Sequence, residues 1–172
     1  MLTQIPEARL VPEASHGSED RLVRLMNDYE RPLYNFLLAL LRDADAALDC
    51  TQDTFLRAYE QMNRGKEIKA AWLYTVARNR AMDEFRRRRR TEPDIETLEH
   101  LPAVTRSSED RLAVEAAMSQ LSEGDREVLY LFDVAGFKTD EIGTMLGVRG
   151  SAIRQRLSRA RARFRLAYGV EL

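Results

Sequence analysis

The sequence predicts an all-α protein: two small helical domains joined by a flexible acidic linker, the C-terminal one containing a helix-turn-helix. Three observations carry this. Apolar residues recur at three- and four-residue steps almost throughout, and nothing reads as a convincing strand run. Residues 91–108, TEPDIETLEHLPAVTRSS, break that period and hold two prolines. Beyond them a short helical stretch, a glycine and a longer helical stretch follow in helix-turn-helix spacing. A chain of 172 residues suffices for one domain or two small ones.

Residues 1–18 read as a disordered lead-in, without the basic start and apolar stretch of a secretory signal. The first domain covers 19–90. Its first helix carries Leu22, Leu25, Met26, Tyr29, Leu33, Phe36, Leu37 and Leu40 at helical steps. Pro32 lies inside it and should kink or split it, because proline lacks an N–H and its ring crowds the preceding turn. After the break RDAD, a second helix carries Leu48, Thr51, Phe55 and Tyr59. Residues 63–69, NRGKEIK, read as a loop around Gly65, and a third helix begins near Ala70. The linker is 91–108 and the second domain 109–172. There Ser122 with Asp125 three residues on forms a capping-box pattern, and Gly136 is a stop signal. A short helix, Asp140 to Leu146, is followed by Gly147, a tight turn and a helix starting near Ser151. Ile142, Leu146, Val148, Ile153 and Leu157 are placed to pack these two helices together.

Charge patterning narrows the function. Lysine plus arginine (27) nearly balance aspartate plus glutamate (28), yet the charges are segregated. Arg149 to Arg165 includes seven arginines and no acid, while Arg78, Arg80 and the run Arg86–Arg90 form a second basic cluster. Between them lie Glu92, Asp94, Glu96 and Glu99. Two basic surfaces around an acidic connector suggest two contacts with a polyanion. No apolar run approaches the roughly 18–20 residues of a membrane span. The single cysteine, Cys50, cannot form an internal disulfide, which fits a reducing cytoplasm and reads as a buried inert thiol. Neither metal-ligand spacing, a Gly-rich phosphate loop nor a nucleophile–base pair stands out, so no enzyme, cofactor or metal site is expected.

Three constellations remain. In residues 137–165 the second helix has one core stripe, Ile153, Leu157, Ala160 and Phe164. Arg154, Gln155, Ser158 and Arg159 fall off that stripe and can reach base edges, arginine pairing with guanine and glutamine with adenine. Arg156, Arg161, Arg163 and Arg165 suit phosphates. In WLYTVARNRAMDEFRRRRR, residues Trp72, Thr75, Asn79, Asp83 and Arg86 share one ridge beside an apolar seam of Leu73, Val76, Ala77 and Ala81. Such a ridge can stack on and hydrogen-bond to unpaired bases. It equally suits a solvated face, with Trp72 in the core and Asp83 paired to Arg80, Arg86 or Arg87. In DCTQDTFLRAY, Asp49, Gln52 and Asp53 share one outer face, and spacing alone gives an amphipathic helix.

These three motifs, in this order, resemble a bacterial extracytoplasmic-function sigma factor over roughly residues 19–166. The resemblance implies a subunit that directs core RNA polymerase to promoters, reading and melting the minus-10 element and binding the minus-35 element, with no catalysis of its own. It implies that Asp49, Gln52 and Asp53 bind the polymerase β′ clamp, and that the C-terminal domain meets the β flap. Asn63, Arg64, Gly65 and Lys66 would belong to the loop capturing a flipped minus-10 base, and Asn79, Arg80, Asp83, Arg86 and Arg87 to the minus-10 helix. Flipping costs a few kcal/mol, which a pocket must offset. Ser151, Arg154, Gln155, Arg156, Ser158 and Arg159 would make the minus-35 contacts. An anti-sigma factor, a cytoplasmic location and an acidic linker occupying nucleic acid's place inside the polymerase are further implications. The sequence departs from the family's pattern at Leu48, at Cys50 and at Ser151-Ala152-Ile153, where Ser151 is the candidate helix cap. A stand-alone helix-turn-helix regulator with a dimerising N-terminal module is the competing reading, and a sigma-like protein that no longer melts promoters is another.

Overall fold

The structure, a computed structural model, describes residues 13–91 and 108–169. The linker acids Glu92, Asp94, Glu96 and Glu99 lie outside the described residues, as does the start of the lead-in. Helix α1 spans Glu13–Leu41, so the end of the expected lead-in is already helical. Pro32 does not split it. Beside the proline, Leu33, Phe36, Leu37 and Leu40 are wholly buried. Each contributes about 1.5–3 kcal/mol on burial, together more than the roughly 3 kcal/mol of an interior proline.

Helix α2 spans Ala44–Asn63 and is capped by Asp43, whose carboxylate accepts from the Ala46 amide at 2.8 Å. The same carboxylate accepts from Arg88 at 2.6 Å. Burial opposes ionisation of Asp43, but these donors outweigh it and hold the carboxyl below its ordinary value. Helix α3, Ala70–Thr91, buries Leu73, Tyr74, Ala77 and Ala81 against α1 and α2. These helices form the first unit.

The second unit holds α4 (Ser108–Ser119), α5 (Glu123–Leu129), α6 (Thr139–Leu146) and α7 (Gly150–Tyr168). Ser122 caps α5 through the Asp125 amide at 3.2 Å. Only that half of the capping box forms, since the buried Asp125 carboxylate turns to Arg163 of α7. A π-helical turn, Tyr130–Val134, extends α5 up to Gly136, whose positive φ ends the segment.

The two units pack on each other. Their buried apolar residues form one continuous cluster, with α1 against α5 and α3 against α6. A chain of four rings crosses the seam. Phe36 lies 5.2 Å from Tyr74 and 5.4 Å from Tyr130, and Tyr74 meets Phe137 edge-on at 5.1 Å. Such pairs contribute about 0.5–1.5 kcal/mol each beyond burial. Arg126 of α5 donates to Leu121 O at 2.6 Å and reaches Leu40 O, near the end of α1, at 3.5 Å. It thereby brings a cation to a helix C-terminus that has none of its own.

Candidate nucleic-acid and polymerase interfaces

The helix-turn-helix is built by one close approach. Gly143 of α6 lies under the turn: a Cβ there would stand 2.7 Å from Val148 O and 3.1 Å from Gly150 N. Gly147 closes α6 at φ 69°, where glycine carries no steric cost. Glu141 accepts from the Lys138 amide at 2.8 Å and steadies the start of α6. Ile142, Ile153 and Leu157 pack the two helices, and Leu146 is half-buried. Val148 departs from the expected packing and is exposed, because it sits on the outside of the turn. Ser151 does not cap α7: the helix begins one residue earlier, with Arg149 at the cap position and no side-chain cap bond.

On α7 the residues predicted for base contacts, Arg154, Gln155, Ser158 and Arg159, are all exposed, as is Ser151. They form one ridge opposite Ile153, Leu157 and Ala160. Arg154 leans toward Thr139 and Asp140 at 3.5 and 3.9 Å, contacts loose enough to exchange. The other arginines divide. Arg156 is half-buried with its guanidinium against Gly124 of α5. Arg161 pairs with Asp133 and lies 5.0 Å over the Phe132 ring, and Arg163 holds Asp125. Three of the four expected phosphate contacts therefore brace α7 against α5 and its π turn. Only Arg165 has no ion pair with a described residue on record and stays exposed.

On α3, Asn79, Asp83 and Arg86 form an exposed ridge at i, i+4, i+7, with Trp72 and Thr75 half-buried at its start. Asp83 pairs with Arg86 at 2.7 Å, one of the intrahelical pairings the spacing allows. Trp72 is thus neither a core residue nor a free stacking platform. The loop residues Asn63, Arg64, Gly65 and Lys66 are exposed, and Gly65 takes φ 77°. Arg80 is turned away from this ridge and pairs with Asp53 of α2. The arginine run also divides. Arg87 and Arg88 both bond Glu84, Arg88 adds Asp43, and Arg89 approaches Glu123 of the second unit at 3.7 Å. The Arg87 bond, against opposing burial and with help from Arg88, brings Glu84 down to about 2.

On α2, Asp49 and Gln52 are exposed, while Asp53 is half-buried by its pair with Arg80. Sequence reasoning passed over two neighbours: Leu48 and Leu56 are 45% and 62% exposed, one turn either side of Gln52. The signal was present as apolar residues at i, i+4 and i+8 outside the core stripe. Cys50 is buried, and desolvation pushes its thiol up to about 11. Among the described residues no cluster could hold a metal ion, and no helix is long and apolar enough to cross a membrane.

A helical unit with a polar ridge for unpaired bases, packed on a helix-turn-helix with a base-reading ridge, defines a two-site promoter-recognition protein. Residues 25–91 match Sigma-70 region 2, and residues 111–164 match Sigma-70, region 4. The sigma factor SigL of Mycobacterium tuberculosis is 32% identical over 160 residues, covering 87% of this chain and 90% of that protein. The sigma factor EcfG of Rhodopseudomonas palustris is 32% identical over 74% of each chain. RfaY of Xanthomonas campestris, a probable sigma factor, is 29% identical over 90% of this chain, which spans 42% of that longer protein. The Bartonella quintana sigma factor RpoE, solved in complex with the anti-sigma factor NepR, superposes with a TM-score of 0.75 at 26% identity, covering 89% of this chain and 99% of that one. CnrH, solved with the cytosolic domain of CnrY, shares the fold with a TM-score of 0.67 at 22% identity, over 93% of this chain and 95% of that one. The chain belongs to the sigma-70 family, in its extracytoplasmic-function group, whose members direct RNA polymerase to promoters.

Proposed function

We propose that this sigma factor divides its work between a unit spanning 19–90 and one spanning 109–172, acting in the cytoplasm and leaving all chemistry to the polymerase. Asp49 and Gln52, with exposed Leu48 and Leu56, dock the β′ clamp. Asp53 acts by holding Arg80. The loop Asn63, Arg64, Gly65 and Lys66 and the ridge Asn79, Asp83 and Arg86 engage the minus-10 strand, with Arg87 at its flank. Ser151, Arg154, Gln155, Ser158 and Arg159 read minus-35, while Arg156 supports α7 from behind. The observation that carries this reading is the pair of exposed polar ridges, Asn79–Asp83–Arg86 and Arg154–Gln155–Ser158–Arg159, each standing on a buried apolar stripe.

An anti-sigma factor is the regulatory partner this reading favours, since the RpoE and CnrH structures each hold a sigma factor with such a partner or its domain. A cleft of about 940 Å³ between α1 and the second unit, lined by Leu38, Leu112, Met118, Leu129 and Phe164, suits an amphipathic segment of it. The test is reconstitution. With purified core polymerase the chain should direct transcription from promoters found by sequencing polymerase-associated DNA. A chain that binds such DNA alone, dimerises and ignores core polymerase would be the stand-alone regulator instead.

A further inference from the structure

Geometry sets the two interfaces at odds with the packing that joins them. Elements named for positions minus-10 and minus-35 lie roughly 25 base pairs apart, which at about 3.4 Å per base pair is roughly 85 Å of duplex. The longest helix, α1, has 29 residues, a length of about 44 Å at about 1.5 Å per residue. A chain whose α3 and α7 both pack into one continuous core cannot cover both elements. The seam is also an integral interface. It combines the four-ring chain, the Arg78–Glu127 pair at 2.7 Å, the Tyr130 hydroxyl donating to Pro32 O at 3.3 Å, and Arg126 reaching the end of α1. Glu127 is 4% exposed, a burial that an isolated second unit would have little reason to impose on a carboxylate. This lone chain superposes across 89% of its length on a sigma factor held by an anti-sigma factor, so the units take a like arrangement without a partner present.

We propose that the free chain latches itself shut across the seam formed by Phe36, Tyr74 and Arg78 with Glu127, Tyr130 and Phe137, and that this closed form cannot engage a promoter. Core polymerase binds the minor, opened form. Closure then lowers the apparent affinity for core by the fraction of open molecules, and a partner seated across the seam has only to deepen a state the chain already prefers. The proposal rests on the sigma-factor reading.

The test uses the full chain with Asp28→Cys and Ala162→Cys, exposed positions on α1 and α7, labelled for distance measurement. Cys50, buried with its thiol pushed up to about 11, does not compete for label at neutral pH. The free chain should give one narrow distance that lengthens in the complex with core polymerase. Glu127→Arg, which faces Arg78 with a like charge, and separately Phe137→Ala, which unpairs Tyr74, should each lengthen the distance in the free chain. Both should tighten core binding, up to on the order of tenfold if about a tenth of molecules are normally open. Glu127→Gln keeps a hydrogen-bond acceptor and should stay closed. A broad, long distance in the unmodified free chain overturns the proposal. So does a distance unchanged on binding core, or opened variants that bind core no more tightly. Absence of any binding to core by the unmodified chain strikes the sigma-factor reading instead, and the free-chain distances report on closure regardless.

Discussion

Arg78 Nε donates to Glu127 Oε1 at 2.7 Å, joining the residue before Asn79 on α3 to a carboxylate buried on α5. Burial raises the Glu127 carboxyl above its ordinary value, although Arg78 pulls the other way. Desolvation therefore exceeds the attraction, and the pair fixes which surfaces meet more than it adds stability. Removing one partner is a different matter. Arg78→Ala strands the buried carboxylate and should cost about 3–5 kcal/mol, whereas Glu127→Gln should be close to neutral. The pH dependence has a definite sign. A carboxyl raised in the folded state favours folding below its unfolded value of 4.5, a gain lost as pH rises through the folded value. The Arg78→Ala penalty should thus shrink as acid protonates Glu127. Urea melts at several pH values measure this, and a penalty independent of pH would count against an ionised, stranded Glu127.

Glu84 behaves in the opposite sense. Its hydrogen bond from Arg87, opposed by burial and reinforced by Arg88, depresses the carboxyl to about 2. The stability it contributes is complete above its ordinary value of 4.5 and is lost as pH falls toward about 2. Arg87 is 70% exposed and Arg88 30%, so solvent screening leaves about 1 kcal/mol. Glu84→Gln should flatten this part of the acid-unfolding profile while leaving stability at pH 2 unchanged.

Asp43 combines two jobs that the sequence shows only as the break RDAD. It caps α2 and ties down Arg88 from the far end of α3. Asp43→Ala should lower stability by about 1–2 kcal/mol, the upper range for a lost cap, and Asp43→Asn should recover most of the capping share. Equal losses in the two variants would show that the Arg88 pair matters more than the cap.

What was legible and what was not follows from range along the chain. Helix periods, the stop at Gly147 and the two polar ridges depend on neighbours a few residues away, and each can be read from spacing. Partners across the fold cannot. Arg80 and Arg88 read as DNA-facing charge until Asp53 and Asp43 come alongside them from 27 and 45 positions away. Arg161 and Arg163 turn inward because the π turn and α5 present Asp133 and Asp125 beneath α7. Pro32 leaves α1 whole because burial on the helix outweighs a local preference. Tyr74 and Tyr130 were only helical apolar positions in sequence, yet they stand at the seam between the units.

On α7 the division of arginines gives separable outcomes. Arg154→Ala and Arg159→Ala each remove an exposed side chain from the base-reading ridge. Each should weaken binding to a minus-35 duplex by about 1–3 kcal/mol without moving the melting temperature. Arg163→Ala strands the buried Asp125 and should lower the melting temperature first. Titration of a labelled duplex alongside thermal melts separates the two. Arg163→Ala with unchanged stability and weakened binding would return that residue to the phosphate backbone.

The turn of the helix-turn-helix provides the sharpest steric test, because two glycines six to eight residues before Ser151's helix are required for different reasons. At Gly143 a methyl group would lie 2.7 Å from Val148 O, 3.1 Å from Gly150 N and 3.3 Å from Arg149 C. All three are backbone atoms of the turn, so none can swing aside as a side chain could. Gly143→Ala must push α7 off α6, at about 1–3 kcal/mol for overpacking, and the displaced ridge should lose minus-35 affinity beyond what stability explains. At Gly147 the space for a methyl group is open, but φ is 69°, so Gly147→Ala costs only backbone strain of about 1–2 kcal/mol. Its α7 stays seated, and folded Gly147→Ala protein should bind a minus-35 duplex as the unmodified chain does. If the two variants lost DNA affinity equally at matched stability, the approach of Gly143 to the turn would not be what positions α7.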